Sequence, residues 1–340
     1  MAKSVPLSIA EERYTRHLRA RGLAENTVIN NSQAVRRARQ LWGDILVSSV
    51  TPAHIDHLFG HYGWKESTRN LYLSYLRQFF TWARRSGFMG KDADPTIGWR
   101  SVKVPKEDRL RIPLDEFPDV LDAATHPRDR AVCAVGLFTF LRGSEIRHLR
   151  IRDLDLDAGT LAVYRSKTKE HDNLPVSSEL HEEMTRWLAW YRADQGFLQQ
   201  DWYLVPAKWP AKTGYDRETG KIFVTDEPAP LKPEVPIHKP YAAVQRSLVR
   251  LGYDPLGQGE HTLRRSGARA LADSLREQGF DGALMRVAAM LGHTDVRITQ
   301  RYIGWELEKE QRNTAIAGKP LFPTMRRGTD GVIVEMRGRV

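Results

Sequence analysis

The chain has 340 residues, 41% of them hydrophobic and 28% charged, with a formal charge of +10 and one cysteine. That length suits roughly two domains of about 150 residues, each with its own core. No apolar run approaches the ~20 residues of a membrane span, MAKSVPLSIAEERYTRHL lacks the apolar core of a signal peptide, and a lone cysteine excludes an internal disulfide and a cysteine-based zinc site.

Residues 5 to about 88 read as a compact bundle of four helices. The first runs from Ser8 to Ala20, with helical spacing at Tyr14 and Leu18. Asn26 and Thr27 can cap a second helix through Leu41 that stops at Gly43. Thr51-Pro52 is a cap followed by proline at the first helical position and opens a third helix to about His61. Glu66-Ser67-Thr68 opens a fourth, ended by Gly87, whose Leu71, Leu73, Leu76, Phe79, Phe80 and Trp82 form a wide buried face. Residues 90–113 carry prolines and scattered charge without periodicity and read as a basic interdomain linker.

Helices are expected again over Asp115 to Ala124 and Arg128 to Phe140, the latter holding Cys133 as a small buried hydrophobe. Thr160 to Tyr164 and Leu174 to Val176 flank a polar turn, Ser166 to Asn173, and read as a β-hairpin. Residues 206–240 are rich in Pro, Lys and Gly, with a second hairpin around Asp216 to Gly220. Further helices are expected at about 241–251, 262–278, 281–291 and 295–303, and Val332-Ile333-Val334 is a short strand candidate. The domains are therefore 1–89, a linker at 90–113, 114–318, and a C-terminal tail at 319–340.

The excess of 52 Lys and Arg over 42 Asp and Glu suits a polyanionic partner, most often nucleic acid. No stretch reads as a basic helix with a continuous apolar face, which argues against a membrane surface.

Groups suited to phosphate chemistry gather at His261-Thr262-Leu263-Arg264, Leu291-Gly292-His293 and Thr299-Gln300-Arg301-Tyr302. Cutting a DNA strand without a metal requires a nucleophile in line with phosphorus, fixed donors for the phosphorane oxygens, and a proton for the departing oxygen. The Tyr302 phenol can attack. His261 and Arg264, three residues apart, lie on one face of a helix and can address one phosphate. Arg142 follows a strongly apolar helix and precedes Ser144, which can cap the next. Lys167, on the first hairpin tip, can reach a leaving oxygen, although Lys169 competes for that role. Taken singly, each side chain has a plainer reading as a packed ring or a solvated cation; their order along the chain is what carries weight.

In that order the chain resembles the tyrosine recombinases, the phage-integrase family, over essentially its whole length. The matching motifs are Leu141-Arg142-Gly143-Ser144-Glu145, Lys167, His261-Thr262-Leu263-Arg264, Leu291-Gly292-His293 and Tyr302, with the usual gap from His293 to Tyr302. The resemblance implies a mainly α protein with a small β component (α+β). A helical SAM-like core-binding domain would join a mixed α/β catalytic domain in a C-shaped DNA clamp, in the simple two-domain type without an arm-binding domain. It implies Tyr302 as nucleophile forming a 3′-phosphotyrosine, Arg142 and Arg264 as clamps on the non-bridging oxygens, and His261 and His293 in proton transfer. Lys167 would be the general acid, and Glu145 would hold the site in register. Toward DNA it points to Thr27, Asn30, Lys65, Ser67, Thr68, Arg69 and Arg77.

The implied function is site-specific recombination through a Holliday junction, integrating or excising a phage or other mobile element, with no cofactor and no metal. Its partners would be double-stranded core-type attachment sites, three further copies in a synaptic homotetramer and an accessory DNA-bending or excision factor, with no membrane. The location would be cytoplasmic, nucleoid-associated when DNA is bound. Rival readings are a type IB topoisomerase and a non-catalytic DNA-binding regulator on the same scaffold. Three features depart from the family pattern: Phe140 stands where glycine is common, Arg265 where histidine is frequent, and the segment 206–240 is long.

Overall fold

A computed structural model describes residues 4–104, 109–165, 167–210, 213–216, 221–224, 229–280 and 282–305, with 213–216 and 221–224 described by backbone alone. The chain divides after Glu107 into two compact units.

The first unit is built on α1 (Leu7–Ala20), α2 (Glu25–Trp42), α3 (Pro52–Tyr62) and α4 (Glu66–Arg85). Their apolar stripes meet in a core of Tyr14, Leu18, Val28, Val35, Ile55, Leu58, Leu73, Leu76, Phe79 and Phe80. Leu71, expected on the buried face of α4, is half exposed at 49%. Helix α3 begins at the Thr51 cap, whose hydroxyl lies 2.9 Å from His54 Nδ1. Helix α2 starts earlier than its polar residues suggest. Ala24 occupies the cap without a side-chain bond, so Asn26 and Thr27 fall in the first turn, and Glu25 there complements the helix dipole.

The stretch read as a linker is shared between the units. Residues 90–104 lie on the bundle: Asp94 pairs with Arg84 at 3.1 Å, Trp99 Nε1 donates to Asp56 at 2.9 Å, and the Asn70 amide exchanges bonds of 2.7 and 2.9 Å with the Val102 backbone. Ile112 belongs to the second unit, buried there with its N–H donating to Ser266 Oγ at 2.8 Å.

In the second unit, α5 (Phe117–Asp122) follows a 3₁₀ turn and α6 (Pro127–Thr139) runs through the core. Helix α6 is buried on every side from Ala131 to Leu137, Cys133 included, and burial pushes that thiol up to about 12. Next come α7 (Gly143–His148) and the antiparallel sheet β1 (Leu154–Asp155), β2 (Thr160–Arg165) and β3 (Glu170–Pro175) in that order. The turn between β2 and β3 is shorter than expected, because Arg165 pairs with Glu170 and the polar run 170–173 forms an edge strand that solvent can satisfy.

Helix α8 (Ser178–Gln195) has no counterpart among the expected elements, though its signals are present. Ser177 Oγ caps Leu180 N at 3.3 Å, Gly196 closes the helix at φ 79°, and Leu180, Met184, Trp187 and Tyr191 form its buried stripe. Strand β4 (Pro206–Lys208) pairs with β7 (Leu231–Pro236), and β5 (Thr213–Asp216) with β6 (Lys221–Val224); the turn residues 217–220 lie outside the described residues. The chain continues with α9 (Pro240–Arg250), α10 (Glu260–Glu277), α11 (Ala283–Leu291) and α12 (Val296–Tyr302), each within about two residues of expectation. The tail 319–340 and the strand candidate at 332–334 lie outside the described residues. Among the described residues, no helix is long and apolar enough to cross a membrane.

The base of the 206–240 segment is anchored by charge. Asp129 on α6 is buried and faces Arg128, Lys208 and Arg246, the last two at 3.3 and 2.6 Å, while Arg128 Nη1 donates to Pro206 O at 3.0 Å. Burial alone would raise the Asp129 carboxyl, but these three cations hold it down at about 2.

Candidate active site

Arg142 sits at the cap of α7 rather than ahead of it, so Ser144 falls inside the first turn and is not the cap. The cap is closed by Glu145, which accepts from the Arg142 backbone N–H at 2.7 Å and from Nη1 at 2.8 Å. The Glu145 side chain is fully buried, and the Arg142 side chain is 21% exposed. A carboxylate buried this way fixes one guanidinium fork and leaves its other N–H groups free to face solvent.

Two further guanidiniums approach the same carboxylate. Arg264 Nη1 lies 3.9 Å and Arg165 Nη1 3.8 Å from Glu145 Oε2. Arg264, on α10, is 1% exposed and donates to the carbonyls of Phe140 and Leu291, the latter at 2.7 Å. It therefore ties the end of α6 to the end of α11. Burial lowers its pKa to about 10, which still leaves it charged at neutral pH. The carbonyl of Phe140 can face Arg264 because Phe140 adopts the left-handed conformation, φ 56°, at the end of α6. That conformation is the physical reason glycine suits the position; here the Phe140 ring is buried with Ala268, Ala272 and Val287.

Tyr302 closes α12. Its ring centroid is 5.9 Å from the Arg264 guanidinium carbon, and its hydroxyl donates to the His261 carbonyl oxygen at 3.3 Å. Partial burial raises the phenol pKa, opposed by the charges of Arg264, Arg265 and Arg142. His293 meets Tyr302 edge-on, and its Nδ1 lies 2.9 Å from Thr299 Oγ1. Desolvation, then the charges of Arg264, Arg142, Lys167 and Arg165, lower its pKa to about 4. His261, at the start of α10, is also lowered, chiefly by desolvation and then by Arg264, Arg265 and Arg142, against the opposing carboxylate of Glu260. Both imidazoles are thus neutral at pH 7.

Lys167 lies exposed on the turn 167–169, close enough to His293 for its charge to act on that ring. Lys169 adopts φ 61° on the same turn. Arg142, Glu145, His261, Arg264, His293 and Tyr302 therefore converge, with Lys167 at the rim. Arg265 is buried and donates to Leu110 O at 3.2 Å, while its charge also acts on Tyr302 and His261. Among the described residues, no three His, Cys, Asp or Glu side chains are disposed to hold a metal ion.

In the first unit, Thr27 and Asn30 on α2 and Lys65 and Ser67 at the start of α4 are exposed, and Thr68 is half-buried. Arg69 stacks on Trp99 at 5.7 Å and Arg77 donates to the Trp99 carbonyl, so both already serve the fold of this unit. Sequence reasoning missed Arg165. The signal was legible: in β2 the inward positions are Leu161, Val163 and Arg165, and an arginine on the buried side of a strand is out of place.

The sequence model described as the Phage integrase family matches residues 111–307, and that of the Phage integrase N-terminal SAM-like domain matches 12–87. Tyrosine recombinase XerC of Azotobacter vinelandii is 30% identical over 255 residues, covering 72% of this chain and 71% of that protein. The structure of a lambda integrase dimer bound to a COC′ core site is similar at a TM-score of 0.63 and 20% identity, over 88% of this chain and 77% of that one. A lambda integrase tetramer bound to a Holliday junction matches at 0.63 and 20%, over 88% and 78%. At that identity the two structures establish the fold.

Proposed function

The chain belongs to the phage integrase family, the tyrosine recombinases, and from that premise we propose that Tyr302 cuts and rejoins DNA in site-specific recombination. The observation that carries this reading is the Tyr302 ring beside the buried Arg264 guanidinium, within a cluster where Glu145 braces Arg142. The Tyr302 oxygen attacks phosphorus and the bond to the 5′ oxygen breaks, leaving a 3′-phosphotyrosine and a 5′-hydroxyl. The phenol proton passes to a neutral imidazole, His261 or His293. The proton for the 5′ oxygen comes from Lys167. Arg142 and Arg264 donate to the non-bridging oxygens, where charge develops. Attack by a partner strand's 5′-hydroxyl reverses the step and needs no external energy, because the phosphotyrosine keeps the ester bond.

Thr27, Asn30, Lys65, Ser67, Thr68, Arg69 and Arg77 are the proposed DNA contacts of the first unit, with Lys65 and Arg69 on phosphates. The lambda integrase tetramer bound to a Holliday junction supports synapsis of two duplexes by four copies, with the tail 319–340 reaching a neighbouring copy. Its cellular role would be integrating or excising a phage or other mobile element.

The test starts from a random-sequence duplex pool, from which the wild-type protein selects its site by covalent capture. Tyr302→Phe should bind the selected duplex but leave no adduct on a denaturing gel; an adduct that persists overturns the assignment. Efficient relaxation of a supercoiled plasmid lacking the site would favour a topoisomerase instead.

A further inference from the structure

Arg165 is the last residue of β2, two residues before Lys167 on the same hairpin. Its side chain is 3% exposed. Within the hairpin it pairs with Asp172, Nε to Oδ2 at 2.9 Å, and its backbone carbonyl accepts from Lys169 N at 2.8 Å. Beyond the hairpin it makes three contacts with the body of the catalytic unit. Nη2 donates to Met290 O at 2.7 Å, near the end of α11; Nη1 approaches Glu145 Oε2 at 3.8 Å; and the side chain lies over Gly292, where an added Cβ would come within 3.1 Å of Cδ and 3.2 to 3.3 Å of the guanidinium Nε and Cζ. Gly292 has φ 63° and precedes His293.

Among the described residues 164–172, no other side chain hydrogen-bonds into another element. Beyond the backbone ladder to β1 and the buried Leu161 and Val163, one guanidinium is therefore the hydrogen-bonding side-chain tie between the tip of this hairpin and the body. That guanidinium also lies 3.8 Å from the carboxylate holding Arg142 and beside the glycine leading to His293. Its Nη1 is buried without a hydrogen-bond partner, so the group is placed by its neighbours rather than saturated by them.

From this geometry we infer that Arg165 is a positioning residue that aims Lys167 at the leaving oxygen by locking the β2–β3 hairpin onto Glu145 and the α11–His293 turn. The inference rests on the proposed recombinase reading, in particular on Lys167 as general acid. In the step it serves, the P–O5′ bond breaks as the Tyr302 oxygen bonds to phosphorus, and the Lys167 ammonium gives its proton to the 5′ oxygen. A duplex carrying sulfur at that bridging 5′ position releases a thiolate, which leaves without protonation because a thiol is far more acidic than an alcohol.

The experiment compares single-turnover cleavage of the selected half-site duplex with oxygen or sulfur at the bridging position, for wild type, Lys167→Ala, Arg165→Ala and Arg165→Gln. General acid catalysis contributes about 10²–10⁴-fold, so both Lys167→Ala and the Arg165 variants should lose on the order of 10² or more on oxygen. On sulfur all should return to within roughly tenfold of wild type. Arg165→Gln keeps a donor for Met290 O, so it carries the same reading if Arg165→Ala does not fold. A structural role would slow both substrates equally, and that outcome, with Lys167→Ala rescued, overturns the inference alone. If Lys167→Ala itself is not rescued, the general-acid assignment falls and the inference with it. If wild type forms no adduct on either substrate, the recombinase reading fails.

Discussion

The His293 imidazole meets the Tyr302 phenol edge-on, with ring centroids 5.7 Å apart and planes at 90°. The arrangement places a neutral imidazole against the proposed nucleophile, held neutral by burial and by the surrounding guanidiniums, which lower its pKa to about 4. A free histidine titrates near ~6.5. Between these values the unfolded chain binds more protons than the folded one, so stability is present above about pH 6.5 and lost as the pH falls toward 4. His261 and His126, both lowered chiefly by desolvation, act in the same direction. His293→Gln should therefore flatten the fall in Tm between pH 7 and pH 4 relative to wild type. An unchanged slope would refute the neutral-imidazole assignment.

Arg142 is braced by Glu145 but keeps 21% of its side chain open. Removing one transition-state donor costs about 3–4 kcal/mol of barrier. Arg142→Ala should thus slow single-turnover cleavage of the selected duplex by roughly 10²–10³, with little change in its affinity. Arg142→Lys should recover only part of the rate, since an ammonium cannot reproduce a planar fork. A loss confined to affinity would argue against the clamp.

Asp129 is the sole acidic side chain paired with Arg128, Lys208 and Arg246 among the described residues. Breaking a buried pair by removing one partner costs about 3–5 kcal/mol. Asp129→Asn should lower Tm by roughly 10 °C. Because the carboxyl is held at about 2 against ~3.8 when free, its contribution is present above pH 4 and disappears as pH falls toward 2. Wild type and variant should then converge in Tm in strong acid; a constant difference down to pH 2 would contradict the charge account.

Gly267 on α10 passes so close to α6 that an added Cβ would collide with Leu137 O and come within 2.7 Å of the Phe140 ring. The obstacle is backbone, which cannot rotate away. Gly267→Ala should destabilise the catalytic unit by about 1–3 kcal/mol and displace Arg264, three residues earlier, from the Phe140 carbonyl. Thermal melts report the first effect and cleavage rates the second. Wild-type values in both would remove the close-packing explanation.

Salt separates binding from chemistry. If Lys65, Arg69 and their neighbours contact phosphates, affinity for the selected duplex should fall steeply between 50 and 200 mM salt as counterion release loses its drive. A flat response in a filter-binding titration would count against them.

Most helix boundaries were legible because their signals are local: Thr51-Pro52 opens α3, and Gly43 and Gly87 turn the chain at φ 79° and 76°. Helix α2 begins two or three residues earlier than the cap-like Asn26 and Thr27 suggest, because Ala24 is the cap and the dipole is met by Glu25 in the first turn. The length of the β2–β3 turn was misjudged because Glu170–Asn173 is polar, and only pairing with β2 shows that it forms an edge strand. Residues 90–104 read as part of an interdomain linker. Their hold on the bundle comes through Asp56, Asn70 and Arg84, which no periodicity in that stretch reveals.

The sequence by itself determined the family, the order of the candidate groups and the identity of the nucleophile candidate, because a motif is a statement about which atoms are available. It did not determine how the cations are held. Arg264 stands out along the chain as part of a motif and Arg165 does not; folding buries both beside one carboxylate, so their geometry is set by Glu145 and by carbonyls more than 25 residues distant. Burial lowers the dielectric around those charges, and only there do the charge on a guanidinium, the neutrality of an imidazole and the reach of Lys167 become properties of one site.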